Sequence, residues 1–166
     1  IEDIVGATVF TTGDPRTRVA GTRTTVYEAQ TPQLSQVSEC NDGVTSPCAG
    51  GESRNCGARN DVFREIHARI DVPGVLGGTA PYTEYGGQAF FRGSRPRVLS
   101  QEKVCISVSL PRTTPPPGGW PTILFTHGLG GHFRTAIPTG LAEHLTAKRW
   151  AVIGYDGVLH GDRYGP

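Results

Sequence analysis

The stretch Trp120-Pro121-Thr122-Ile123-Leu124-Phe125-Thr126, running directly into His127-Gly128-Leu129-Gly130-Gly131, decides the fold. Its apolar residues are nearly continuous instead of alternating, which is the pattern of a strand buried on both faces in a parallel sheet. Ile137, Leu141 and Leu145 then recur at spacing four, the period of one helix face; Pro138 suits the first turn of that helix and Lys148-Arg149 its C-terminal end. A second apolar run follows at once, Trp150-Ala151-Val152-Ile153-Gly154-Tyr155, and stops at Asp156. Strand, glycine loop, helix and strand in succession predict a right-handed βαβ crossover. Ligands of such sheets bind outside the carboxyl ends of the strands, so the spacing points to the glycine loop and Asp156 as the place of a site.

Working outward, Arg112-Thr113-Thr114-Pro115-Pro116-Pro117-Gly118-Gly119 has few backbone donors and reads as a stiff, exposed connection into the apolar run. Before it, residues Val104 to Leu110 and Gly86 to Phe91 predict two strands, and Val62 to Val72 alternates well enough for a long third one ending at Pro73-Gly74. The period of two puts Glu65, His67, Arg69 and Asp71 on one side, read here as the wet face of a half-buried sheet. At the start of the chain, Ile4 to Thr11 is rich in β-branched residues and is stopped by Gly13-Asp14-Pro15, which predicts a strand and a turn. Asp14 and Pro15 also suit the N-cap and first position of a short helix that would carry Val19, Val26 and Tyr27 on one face. The expected architecture is α/β: a β-rich extension over residues 1–84, then residues 85–166 with a mixed, mostly parallel sheet.

The 166 residues are one domain's worth and long enough to bury a core. With 23 Gly and 13 Pro the chain is loop-rich, yet below the level of a low-complexity sequence. A formal net charge of +1 and the lack of a Lys/Arg block argue against nucleic acid or an anionic membrane as partner, and Arg92, Arg95 and Arg97 read as a solvated loop. No apolar run is long enough to span a bilayer, and no charged-then-apolar signal segment opens the chain. The sequence has no Met and opens at Ile1, which suggests a processed product or a piece of a longer reading frame. Cys40, Cys48 and Cys56 fall in a polar, Gly-rich loop over roughly residues 31–60, and Cys105 lies in a strand pattern. A loop with little to bury needs a covalent staple, and an even cysteine count suits disulfides formed on export, in a secreted, periplasmic or cell-envelope protein. Seven residues separate successive cysteines of the loop, which is too many for a zinc ribbon. The three pairings of four cysteines stay open, as does a free thiol at Cys105.

These residues together resemble the α/β-hydrolase superfamily, closest to its secreted bacterial lipases and esterases. The resemblance runs from about Tyr85 to the end. It rests on Leu110-Pro111, the Pro-rich link, the strand into His127-Gly128-Leu129-Gly130-Gly131, the helix, and Tyr155-Asp156-Gly157-Val158-Leu159-His160-Gly161-Asp162-Arg163. The second motif departs from the family in carrying Val158-Leu159 where small residues are usual. The resemblance implies hydrolysis of a small-molecule or lipid ester without a cofactor. It assigns the backbone N–H of Leu129 to the oxyanion hole, Gly128 and Gly130 to the oxyanion loop, and a loop-building role to His127. Independent physics supports such a loop: acyl transfer places negative charge on a carbonyl oxygen, and rigid N–H donors in a dry site stabilise it. Phosphate binding is the weaker reading, since neither Gly-x-Gly-x-x-Gly nor Gly-Lys-Ser/Thr is present.

Hydrolases of this type place the nucleophile in a Gly-x-Ser-x-Gly elbow, followed by the acid and the histidine. Ser35, Ser38, Ser46, Ser53, Ser94, Ser100, Ser107 and Ser109 all precede the oxyanion strand, and none stands in an elbow. The expectation is a fragment of a serine hydrolase whose nucleophile, acid and base are encoded beyond Pro166. Two rivals come from other classes. A metal centre would draw on His127, His132, Asp156, His160 and Asp162, although the close His pair usual for catalytic zinc is missing. A non-catalytic secreted binding module would use Tyr82, Tyr85, Phe90 and Phe91 as its contact surface.

Overall fold

A computed structural model describes residues 8–9, 13–48, 50–78, 82 and 85–163. The strand expected over Ile4 to Thr11 lies, apart from Thr8 and Val9, outside the described residues. The first element is helix α1, Pro15–Glu28. Asp14 caps it by accepting from the Arg16 backbone N–H at 3.1 Å, and proline stands at its start. The helix is longer than the short one expected, and Val19, Val26 and Tyr27 stay exposed on it. Its buried point is Gly21, where a Cβ would run into the Ser94 carbonyl. Gly21 thus trades helix propensity for close approach to the neighbouring hairpin, and Arg95 closes the contact on Glu28 at 2.6 Å.

Among the described residues, nine strands and a second helix follow: β1 (Leu34–Glu39), β2 (Phe63–Gly74), β3 (Leu76–Gly78), β4 (Gly86–Ala89), β5 (Phe91–Arg92), β6 (Arg95–Pro96), β7 (Ser100–Pro111), β8 (Thr122–Phe125), α2 (Leu141–Ala147) and β9 (Ala151–Tyr155). The main sheet has the order β1-β2-β7-β9-β8; β3 with β4 and β5 with β6 form two small ribbons. β2 and β7 pair along their full length, from Phe63 opposite Pro111 to Gly74 opposite Ser100. That ribbon crosses the division at 84/85, so both parts of the chain share one sheet.

The sheet is mixed, but not mostly parallel as expected. β1/β2, β2/β7 and β7/β9 are antiparallel, and β8/β9 alone within this sheet is parallel. Parallel pairing is confined to the crossover, where the consecutive strands β8 and β9 are joined through α2. β9 lies between β7 and β8 and buries Ala151 and Val152. β8 is an edge strand with Leu124 64% exposed, so its apolar run is not buried on both faces as expected. The crossover helix also starts later than the spacing suggests. Residues 132–140 form successive tight turns, Gly140 at φ +77° opens α2, and Ile137 precedes it. Ile137 and Leu145 still reach one core, formed by Phe63, Ala136, Ala142 and Val152.

The largest correction concerns β2. Glu65 and His67 are 5% and 0% exposed, so that part of the face read as wet is covered, by the cysteine loop and the segment after the glycine loop, while Arg69 and Asp71 stay partly open to solvent. Two disulfides organise that cover, Cys40–Cys56 and Cys48–Cys105. Cys48 and Cys105 pack with Phe133 as a second small core. A loop without large apolar residues thereby gains a covalent anchor, and each bridge contributes on the order of 2–4 kcal/mol. No helix among the described residues is long and apolar enough to cross a membrane.

Candidate functional site

The carboxyl ends of the parallel pair β8 and β9 deliver two loops to one place. In the first, the Gly131 N–H donates to the Gly128 carbonyl at 3.0 Å and closes a tight turn with Leu129 and Gly130 at its centre. Gly130 has φ +73° at the third position, where a turn of this shape needs glycine. Leu129 keeps an ordinary negative φ, and its side chain stands fully in solvent at 102% exposure. Among the described residues, no group accepts from the Leu129 backbone N–H.

His127 ties this turn to the second loop. Its Nδ1–H donates to the Gly128 carbonyl at 3.0 Å, and its bare Nε2 accepts from the Gly157 N–H at 3.3 Å. These two partners fix the neutral tautomer with the proton on Nδ1. The ring lies against Gly131, where a Cβ would collide with it. His160, held by its Nδ1–H on the Val158 carbonyl at 2.9 Å, packs edge-on against His127 with ring centroids 4.7 Å apart. Between the loops opens a cleft of about 650 Å³, of the size that holds small ligands, lined by Leu129, Gly130, His132, Leu159 and His160 with Arg54 at its side. Leu159 has φ +64°, a conformation that costs a branched side chain energy and is typical of functional loops. His132 accepts from the Arg134 N–H at Nδ1. Burial first and the Arg54 charge second hold its imidazole below the usual range, against the opposing pull of Asp156, so it lines the cleft as a neutral ring.

Beneath the cleft lies Asp156, fully buried at the end of β9. Its carboxylate accepts from both Arg54 Nη atoms, at 3.2 and 3.0 Å, from the Phe133 N–H at 2.8 Å and from the Asp162 N–H at 3.2 Å. Arg54 also donates to Asp162 Oδ1 at 2.7 Å, while Arg69 holds Asp162 Oδ2 at 3.0 Å. The Arg54 guanidinium sits 5.0 Å from the centre of the Phe133 ring. Gly161 is confined by the same cluster, since a Cβ there would enter the Asp156 carboxylate. One ion cluster therefore fastens the cysteine loop, the end of β9 and the 157–163 loop together. Sequence reasoning missed Arg54, 102 residues before its partner; the available signal was Gly161, a glycine demanded by crowding around Asp156.

A second buried network stands behind it on β2. His67 donates Nε2–H to Glu65 Oε1 at 2.7 Å, and Ser46 Oγ lies 2.8 Å from His67 Nδ1. Arg134 donates to the same carboxylate at 2.6 and 3.3 Å. Burial is the largest single influence on Glu65 and pushes its pKa up. The hydrogen bonds from His67 and Arg134, with the Arg134 charge, together outweigh it and hold the group below its ordinary value of 4.5. The unfolded chain thus binds this proton more readily, and Glu65 contributes stability that is present above pH 4.5 and lost as pH falls through the lower, folded value. Urea unfolding across this range should show a steepening loss of stability below pH 4.5, and Glu65→Gln should remove part of that slope. An unchanged slope in the variant would move the effect elsewhere.

Of the residues considered for a metal, His132 and His160 each use Nδ1 alone, whereas Asp156 and His127 are fully engaged. Asp156 spends both oxygens on Arg54 and two backbone N–H groups, and His127 spends both nitrogens on the two loops. Among the described residues, two groups of converging donor atoms occur, Cys40/Cys56/His67 and Cys105/Asp156/Asp162, and each contains disulfide-bonded sulfur. The four aromatics considered for a binding surface do not act alike. Tyr85 is 84% exposed and Phe90 49%, whereas Phe91 stacks under Arg18 at 5.0 Å and Tyr82 donates to Glu102 at 3.4 Å. No family profile, curated protein or solved structure matches the chain.

Proposed function

We propose that this chain carries the oxyanion-binding half of a secreted carboxylic-ester hydrolase of the α/β-hydrolase type, with nucleophile, acid and base encoded beyond Pro166. The observation that carries the reading is the Leu129 N–H, unpaired among the described residues on a glycine turn that follows a parallel strand and lines a largely apolar cleft. A donor fixed before the substrate arrives stabilises a developing oxyanion without reorganising at the moment of reaction. Gly128 and Gly130 let the acyl group approach the main chain, and His127 locks the turn to the 157–163 loop. Strand order supports the same reading. β9 has neighbours on both sides, so the free edge next to the glycine loop is that of β8, and a further strand paired there would bring an elbow serine beside Leu129. The two disulfides fit an exported protein.

The test is expression of the chain together with the reading frame downstream of Pro166. That protein is expected to turn over a chromogenic short-chain ester and to be labelled by a serine-directed phosphonate, whereas the 166-residue piece does neither. A downstream frame without a Gly-x-Ser-x-Gly elbow, or an extended protein inert to both reagents, would remove the reading.

A further inference from the structure

The two disulfides lie in different surroundings. Cys48 and Cys105 are both 0% exposed within the second core, whereas Cys40 is buried and Cys56 is partly open to solvent. Cys56 Sγ lies 3.8 Å from His67 Nδ1, and the sulfurs of Cys40 and Cys56 lie within 4.8 Å of each other and of a ring nitrogen of His67. On the other side of the ring Nε2–H is held by Glu65, which Arg134 clamps in turn. Ser46 Oγ receives the Cys48 N–H and directs its own proton to Nδ1, and the Phe133 ring stands edge-on at 4.9 Å without adding a charge. Sulfur, imidazole and carboxylate are thus aligned as nucleophile, base and orienting group, at a place the ester reading does not use.

We propose that Cys40–Cys56 is a thiol–disulfide exchange site for small thiols, with Cys56 as the sulfur that meets the partner and His67 as the base that holds it as a thiolate. A partner thiolate attacks Cys56 Sγ; the bond to Cys40 breaks, and its electron pair and a proton end on Cys40. A second partner thiolate attacks the partner sulfur of the mixed disulfide, and the electron pair leaves on Cys56, whose charge is balanced by a proton on His67 Nδ1. Two partner thiols become one partner disulfide and give up two electrons to Cys40 and Cys56 and two protons, one to Cys40 and one to His67. His67 suits both directions, since Glu65 supports the ring when it is charged and a thiolate stabilised beside that ring is both a better leaving group and a more available nucleophile.

Oxidised chain is equilibrated with glutathione at increasing ratios of thiol to disulfide, quenched, alkylated and mapped by mass spectrometry. Cys40 and Cys56 are expected to open together while Cys48 and Cys105 remain bonded. In the reduced pair, iodoacetamide should modify Cys56 at pH 6 about tenfold or more faster than it would an ordinary thiol of pKa about 8.5. His67→Gln should abolish that advantage at pH 6 and leave the rate at pH 10 unchanged. Opening of both bridges at the same ratio, or an ordinary thiol profile for Cys56 in the parent chain, would overturn the proposal; the parent profile decides even where the variant fails to fold.

Discussion

Arg54→Met is expected to lower the stability of the folded chain by about 3–5 kcal/mol, the loss typical of removing one partner from a buried ion pair. The size follows from what is left behind and not from the bond removed. Asp156 is 0% exposed, and without Arg54 it retains two backbone donors but no countercharge. Asp162 loses its shortest partner at the same time. Arg54→Lys keeps the charge but cannot present the two-pronged donor that meets both Asp156 oxygens, so it should fall between parent and Arg54→Met. Combining Arg54→Met with Asp156→Asn removes both charges, leaves the amide oxygen to accept from one of the two backbone N–H groups that now meet separate oxygens, and should recover part of the loss. Urea unfolding followed by tryptophan fluorescence measures all four proteins. A single variant within about 0.5 kcal/mol of the parent, the range of an ordinary surface change, would mean that Asp156 is not held by Arg54 in solution.

The same cluster marks where reading the sequence stops. Local pattern was sufficient for β2 and β7, whose alternation is set within each strand, and for the order β8, glycine loop, helix, β9, where each element follows the last. A staple in the cysteine loop was likewise legible from its poverty in apolar residues, though not its connectivity. What covers a face was not legible. Period two groups Glu65 with His67 correctly, but it carries no information on whether water or the cysteine loop lies over them. The apolar run of β8 misled for a related reason: composition reports what a strand tolerates, and its position at the sheet edge leaves Leu124 exposed. Helix spacing placed Ile137 on the right core but not in the helix, since turns through 132–140 deliver it to the same place. For the candidate site, the glycine turn and His127 could be read from neighbouring residues, whereas Arg54 is joined to Asp156 only by the disulfide-bonded loop folding over the sheet.

In the extended protein that we propose, Leu129→Pro should lower kcat for an ester by about 10²–10³, the loss that follows removal of one oxyanion donor. The site suits this experiment because the substitution is nearly silent in every other respect. Leu129 is the second residue of the turn, the position at which proline is favoured, and its φ is not in the positive range that proline cannot adopt. Its N–H is free among the described residues, so deleting it breaks no bond within the fold. Its side chain is fully exposed and packs on nothing that folding requires, so Leu129→Ala should leave stability and kcat close to those of the parent. Proline and alanine remove the same side-chain apex but differ in the backbone donor, and the comparison therefore isolates one hydrogen. A melting temperature unchanged in both variants, with kcat lost only in the proline variant, assigns the donor to the transition state. Equal losses in the two would assign the effect to the leucine side chain on the rim of the cleft, and the oxyanion role of Leu129 would be withdrawn.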